Sequence, residues 1–183
     1  MTRIFDVLFS FIGLVLLSPI LFVLFIIGYF DTGSPIFRQE RVGKDKKPFN
    51  LMKFRSMNQN APSVATHLAS PSSITPFGSF LRKSKLDELP QLWNVLVGEM
   101  SLVGPRPNLF NQEELIEERE SISVYSVRPG ITGLAQINKI DMSTPKLLAQ
   151  TDAKMINELN ILIYFKYIFL TVVGNGFGDR IKD

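Results

Sequence analysis

Residues 7–30 read VLFSFIGLVLLSPILFVLFIIGYF, a run of 24 residues without one charge, bracketed by Asp6 and Asp31. As a single helix at about 1.5 Å per residue it would reach roughly 36 Å, enough to cross a hydrocarbon core of about 30 Å. Ser18-Pro19 falls at its centre, leaving 12 uncharged residues up to Ser18 and 12 from Pro19 onward, each half too short to cross. Proline removes a backbone donor and crowds the preceding turn, so the segment can bend back to the face it came from, with the serine hydroxyl donating to a freed carbonyl. On these physics a kinked single span is favoured over a re-entrant hairpin. A cleaved signal peptide comes last, because the run is long and lacks a small-x-small cleavage site.

Seven basic residues come next (Arg38, Arg41, Lys44, Lys46, Lys47, Lys53, Arg55) against Glu40 and Asp45. Their excess predicts a cytoplasmic location for the downstream domain in either topology. The same stretch suits anionic headgroups, at about 1 kcal/mol per cation near the surface. A second apolar segment, Ile161 to Val173, is interrupted only by Lys166 and Thr171, and its 13 residues are too few to span. It reads as a core helix, or as one lying in the interface with Tyr164, Tyr167 and Lys166 at headgroup level.

The whole chain of 183 residues fits one domain of ordinary size. Its 45% hydrophobic and 20% charged fractions argue against a disordered chain, a coiled coil or a polytopic transporter. With no cysteine there is no disulfide framework, thiolate zinc site, iron-sulfur cluster or cysteine nucleophile, and the single His67 builds no histidine-rich metal site. His67 sits in a Ser/Ala/Asn/Pro-rich stretch, 58–74, that reads as a solvated loop, and it is assigned no role. No G-x-x-x-x-G-K-[ST] occurs, and Gly174-Asn175-Gly176-Phe177-Gly178 has no following helix to make a dinucleotide fingerprint. An Asp-x-Asp metal motif is also absent. Neighbouring carboxylates leaving one helix wall do not flank a sugar as a glycosidase pair must.

Between the apolar segments, Phe49 to Met57 (FNLMKFRSM) reads as a strand whose period of two puts Lys53 and Arg55 on one face, as a solvated basic edge or a phosphate clamp. Thr75-Pro76 reads as an N-cap with proline at the first helical position, opening a short helix over 76–83. In residues 84–98, SKLDELPQLWNVLVG, the spacing of Leu89, Leu92, Trp93 and Leu96 predicts an amphipathic helix that Gly98 stops. Asp87 then projects opposite that stripe and Glu88 to its flank, away from the core. Ser84-x-x-Asp87 is also a capping-box pattern, in which acids simply complement the helix dipole.

The company of the two acids favours chemistry. Arg82, Lys83 and Lys85 precede them, and Gly104-Pro105-Arg106-Pro107 fixes an arginine between two prolines. Arg128-Pro129-Gly130-Ile131-Thr132-Gly133 adds an arginine beside a Pro-Gly corner of type II character. Arginines on rigid loops around two carboxylates suit a polyanion with a divalent cation. Glu113 to Glu120, with five glutamates and Arg119, reads as a solvated helix face.

These motifs, in this order, resemble the monotopic phosphoglycosyl transferases, also called bacterial sugar transferases. The likeness runs over nearly the whole chain: the apolar run broken at Ser18-Pro19, Lys53-Phe54-Arg55-Ser56-Met57, Leu86-Asp87-Glu88-Leu89-Pro90-Gln91-Leu92-Trp93-Asn94-Val95, Met100 to Pro107, and Val127 to Gln136. The resemblance implies a mainly α fold with a small β element, in a compact form without the additional membrane helices and domain of larger relatives. Residues 1–31 would be a re-entrant helix-break-helix, reversing the preference for a span, and 32–183 a cytoplasmic catalytic domain with interfacial amphipathic helices, the C-terminal one included. It implies a bacterial inner-membrane enzyme that moves a sugar-1-phosphate from a UDP-sugar to polyprenol phosphate (undecaprenyl phosphate) and releases UMP, as the first membrane step of glycoconjugate assembly.

Position by position, Asp87 matches the nucleophile that forms an aspartyl-phosphosugar, and Glu88 matches its partner, which binds magnesium or helps deprotonate the acceptor; Asp87 and Glu88 are the implied Mg2+ ligands. Arg106 is similar to the residue expected on the phosphate or acceptor head, Lys53 and Arg82 to supporting cations, and Arg128 with Gln136 to groups near the uridine. Membrane phospholipids and downstream glycosyltransferases are the implied partners, and no nucleic acid is expected. Leu134, where many relatives have tryptophan, and the departure from the common pattern over Lys139 to Pro145 bear on which sugar is used. Two other readings compete: a non-catalytic membrane adaptor, and a hydrolase of nucleotide-diphosphate sugars using the same two acids.

Overall fold

The apolar run folds as one helix, α1 (Thr2–Thr32), in a computed structural model that describes residues 2–61 and 71–173. His67 and the glycines from 174 onward lie outside the described residues. Pro19 sits inside α1 and the helix continues across it, so the expected interruption at Ser18-Pro19 is not a break in helical structure. The reason is local. Proline 19 has no N–H to offer the carbonyl of Val15, four residues back, and the Ser18 hydroxyl donates to that carbonyl at 2.7 Å instead.

One face of α1 lies along the rest of the protein. Asp6, Ser10, Gly13, Leu17, Leu21, Leu24 and Gly28 recur every three or four residues and are buried or half-buried. The opposite side is mostly exposed and apolar, with Leu16 at 71%, Phe22 at 65% and Phe30 at 83% exposure. Both ends of the helix are held. Arg3 donates to the carbonyls of Val95 and Leu96, and Asp6 is bonded to Ser101, Leu102 and Tyr164. At the other end Leu24 packs with Phe54 and Leu81, and the Thr75 hydroxyl donates to Asp31 at 2.7 Å.

Among the described residues the architecture is mostly helical with two small two-stranded sheets. Strands β1 (Ile36–Val42) and β2 (Pro48–Phe54) pair antiparallel, with Phe37 opposite Lys53 and Arg41 opposite Phe49. The strand predicted to Met57 ends at Phe54, and Met57 makes only an isolated bridge to Ile74. Thr75 caps α2 (Pro76–Ser84) as predicted, accepting from the Gly78 amide at 2.9 Å. Then come α3 (Gln91–Val97), β3 (Ser101–Val103), α4 (Glu113–Ser121), β4 (Gly130–Thr132), α5 (Leu134–Ile137), α6 (Pro145–Glu158) and α7 (Ile161–Val172). Strands β3 and β4 pair parallel. Phe49 and Leu51 of β2 pack on Val95 and Met100; Val103 and Met155 pack on Tyr164 and Tyr167.

Three expectations are corrected. First, the apolar stripe of α3 does not face the domain core. Trp93 is 51% exposed, and a β-carbon on Gly13 of α1 would lie 3.2 Å from Leu92. The inward face is instead Gln91, Asn94 and Val95, continuing the side of Asp87 and Glu88. Second, Tyr164 and Tyr167 of α7 are not at headgroup level but buried, as the core-helix reading has it: the Tyr164 hydroxyl donates to Asp6 and Tyr167 packs with Val103 and Met155, while the exposed side of α7 carries Leu162, Phe169 and Val172. Third, Gly130 makes no type II corner. It opens β4, and its φ is outside the left-handed region. Glycine is needed there because a β-carbon would fall 2.0 Å from the Gly104 amide nitrogen.

Candidate active site

Asp87 and Glu88 occupy one 3-10 turn, Leu86–Glu88, between α2 and α3. Lys85, at φ 59°, turns the chain out of α2 in the left-handed conformation, and Pro90 precedes the first residue of α3. Ser84 forms no capping box, since its hydroxyl donates back to the carbonyls of Phe80 and Leu81. The dyad therefore turns inward on the polar face of α3: Asp87 is 2% exposed and Glu88 9%.

Two cations from separate elements converge on Glu88. Arg106 Nη2 donates to Glu88 Oε1 at 3.1 Å, and Lys53 Nζ lies 3.7 Å from the same oxygen. Lys53 reaches it from β2, where it is 7% exposed. Little water screens these charges, so each interaction is stronger than at a surface. Arg55, expected beside Lys53, lies past the strand end; its guanidinium donates to the Ser34 carbonyl and covers the Phe37 ring. The predicted Lys53–Arg55 clamp is thus not formed.

The other expected residues take bracing positions. Arg82 Nε donates to Ser56 Oγ at 2.8 Å, tying α2 to the segment after β2. Gln136 Nε2 donates to the Gly104 carbonyl at 3.4 Å, under the loop that carries Arg106, while its Oε1 is buried without a hydrogen-bond partner. Arg128 Nε donates at 2.7 Å to the carbonyl of Gly98, where α3 ends, whereas the dyad lies before α3 begins. Seven helical residues separate those ends, about 10 Å along the axis. The structure thus brings Lys53, Glu88 and Arg106 together and holds the Arg128 side chain elsewhere.

Two side chains that sequence reasoning missed organise the surroundings. Asn94, 1% exposed, accepts from the Met52 amide at 3.0 Å and donates to the Asn50 carbonyl at 2.8 Å, stitching α3 to β2. Arg119, read as part of a solvated face, is 1% exposed. It bonds Asp152, at 2.7 Å to Nη2, so the acidic helix α4 is solvated only on its glutamate side. Burial pushes the Asp152 carboxyl up from its ordinary range, against the pull of Arg119. Polar residues at the dyad's own helical spacing (Gln91, Asn94) were the available signal for the inward face; nothing local marked Arg119.

Among the described residues no three acidic or histidine side chains cluster, so no cage of protein ligands is present. The donor set nonetheless suits magnesium, which commonly takes one or two carboxylates and completes its octahedron with water and substrate phosphates. Asp87 and Glu88 are the two carboxylates that would hold it.

The chain matches the family model described as bacterial sugar transferase over residues 1–176. It is 41% identical over 182 residues to a UDP-glucose:undecaprenyl-phosphate glucose-1-phosphate transferase of Klebsiella pneumoniae, covering 93% of this chain and 39% of that protein. The protein of the same name from Escherichia coli (strain K12) is 38% identical over 179 residues, 91% of this chain and 38% of the relative. A UDP-N-acetylgalactosamine-undecaprenyl-phosphate N-acetylgalactosaminephosphotransferase of Aeromonas hydrophila is 34% identical over 187 residues, 96% of this chain and 44% of the relative. The chain thus spans about two fifths of the length of these curated relatives. A match over nearly all of its residues, together with the Asp87–Glu88 turn facing Arg106, leads to one assignment: the chain belongs to the bacterial sugar transferase family.

Proposed function

We propose that this protein transfers a sugar-1-phosphate from a UDP-sugar to undecaprenyl phosphate or a similar polyprenol phosphate, releasing UMP. The observation that carries this reading is the buried Asp87–Glu88 turn with Lys53 and Arg106 converging on Glu88. One carboxylate oxygen of Asp87 attacks the sugar-side phosphorus of the donor. The bond from that phosphorus to the bridging oxygen breaks, and UMP leaves with the electron pair. A phosphate oxygen of the polyprenol phosphate then attacks the acyl phosphate, freeing the carboxylate and forming a polyprenol-diphosphate sugar.

Separate half-reactions let a soluble donor and a lipid-held acceptor use one small site in turn. Arg106 and Lys53 hold the phosphates, and Arg106 can pass from Glu88 to a substrate oxygen without leaving its loop. Magnesium bound by Asp87 and Glu88 would screen the repulsion between carboxylate and diphosphate and the charge on departing UMP. At 2% exposure Asp87 is shielded from water, which favours transfer to the lipid over hydrolysis of the acyl phosphate.

For the membrane part we read residues 1–31 as re-entrant, with both helix ends and residues 32–183 on the cytoplasmic face of the inner membrane. This reading is supported by the attachment of both ends of α1 to the same body, through Asp6 and through Asp31. A helix crossing the bilayer would leave one end on the far side. The exposed apolar sides of α1, α3 and α7 would then lie in or on the bilayer.

The test is UMP release by purified protein given single UDP-sugars, magnesium and undecaprenyl phosphate. The expected result is multiple-turnover release only with lipid, abolished by Asp87→Asn with the fold retained. One equivalent of UMP per enzyme without lipid is the first half-reaction; sustained turnover without lipid would establish the hydrolase, and no release the adaptor. Ordinary activity in Asp87→Asn would remove this residue from the nucleophile role.

A further inference from the structure

We propose that Arg119, fixed by Asp152, is a positioning residue that aims the Arg106 guanidinium at Glu88; its catalytic part rests on the reaction proposed above. The argument begins with the loop 105–108. Its two prolines carry no N–H, so the segment cannot be held by a regular ladder, and each carbonyl must find its donor elsewhere.

All four do. The Gly130 amide donates to the Pro105 carbonyl at 2.8 Å, and Arg119 Nη1 donates to the Arg106 carbonyl at 2.9 Å. Arg41 Nη1 donates to the Pro107 carbonyl at 3.2 Å, and the Val42 amide to the Asn108 carbonyl at 2.9 Å. The donor on the carbonyl of the residue whose side chain meets Glu88 is thus a buried guanidinium from α4. Arg119 uses its remaining edge on one carboxylate oxygen: Nε and Nη2 donate to Asp152 Oδ2 at 3.1 and 2.7 Å. Nη1 also donates to Asn108 Oδ1 at 2.8 Å, and the Tyr125 hydroxyl donates to that same oxygen at 3.0 Å. The planar fork is fully specified, and with it the direction in which the loop presents Arg106.

Stability alone is a poor reason for this pair. Arg119 is 1% exposed and Asp152 fully buried, and a buried ion pair is often no more stable than apolar residues of similar volume. What apolar residues cannot supply is a donor for the Arg106 carbonyl. Misplacing a substrate-clamping arginine by about 1 Å can cost about 100-fold in rate.

The experiment compares wild type, Arg119→Lys and the double variant Arg119→Met/Asp152→Leu, each with and without Arg106→Ala. Readouts are thermal stability, hydrogen exchange over residues 104–109 without substrates, and the kcat and KM of lipid-dependent UMP release. The expected result is a folded protein with faster exchange at 104–109 and kcat lowered about 100-fold, with KM for the UDP-sugar little changed. The same substitutions should have no further effect on kcat once Arg106 is alanine. A folded variant with wild-type exchange and kcat would overturn the proposal, and so would an equal loss in the Arg106→Ala background. If neither variant folds, Arg119 is a stability element and the proposal falls. Failure of wild type to release UMP would defeat the proposed reaction instead, while the exchange comparison would still decide whether Arg119 positions the loop.

Discussion

Replacing Asp6 with alanine should unseat the N-terminal end of α1, and the size of the effect is set by its contacts. Asp6 Oδ1 accepts from Ser101 Oγ at 3.0 Å, the Leu102 amide at 2.9 Å and the Tyr164 hydroxyl at 2.8 Å, with the residue 2% exposed. Burial, then the bond to Asp6, pushes the Tyr164 hydroxyl up, so it remains a donor at any working pH. Hydrogen bonds to a charged group contribute about 1.5–3 kcal/mol each, but alanine admits water to some of the three donors, so the expected loss is about 4 kcal/mol. For a chain of this length that corresponds to a fall in Tm of about 8–16 °C. Tyr164→Phe removes one of the three bonds and should lose about 1.5 kcal/mol, or about 3–6 °C. Thermal unfolding in detergent, followed by fluorescence of the single tryptophan, Trp93 on the neighbouring α3, measures both. A Tm for Asp6→Ala within about 2 °C of wild type, or no lower than that of Tyr164→Phe, would refute the reasoning.

Because the chain has no cysteine, Thr2→Cys and Glu40→Cys can be labelled singly in intact cells with an impermeant reagent. Equal accessibility from one side is expected, and opposite accessibility would restore a spanning helix. Gly130→Ala should displace the loop carrying Arg106, since its β-carbon would meet the Gly104 amide nitrogen at 2.0 Å and Gly104 Cα at 2.5 Å. Backbone cannot swing aside as a side chain can, so the loss should reach about 3 kcal/mol, with UMP release falling in parallel; unchanged melting would contradict the contact.

Local rules read much of this chain correctly. Ser18 compensates Pro19, Thr75 caps α2, and Gly98, at φ 97°, ends α3, each decided by groups within a few residues of one another. The illegible part depends on what lies across the gap. The stripe Leu89-Leu92-Trp93-Leu96 reads as core because in a soluble domain the apolar face and the inward face coincide. Here α1 takes that face, and β2 receives the polar one through Asn94 and Glu88. Strand β1 is hidden by its charges, although Arg41 is buried by its bonds to Gln39 and the Pro107 carbonyl. Arg119 sits in an acidic run whose composition signals solvent, and its partner Asp152 is 33 residues away.

On the membrane reading proposed above, the reversed orientation of α3 would let one short helix serve two phases. Its outward side, with Trp93 and Val97 each 51% exposed, continues the apolar surface of α1. Its inward side leads from Asn94 through Gln91 back to Glu88 and Asp87, all nearly dry and all polar. A helix in water would gain by turning the other way; this one is stable as found because α1 covers part of the apolar side and β2 satisfies the polar side. A carboxylate at the start of such a helix lies within a few side-chain lengths of both surfaces. On the proposed reaction, a nucleotide sugar reaches Asp87 from the charged side and a lipid phosphate from the apolar side. The order of the two half-reactions is then set by which substrate brings the diphosphate bond to be broken.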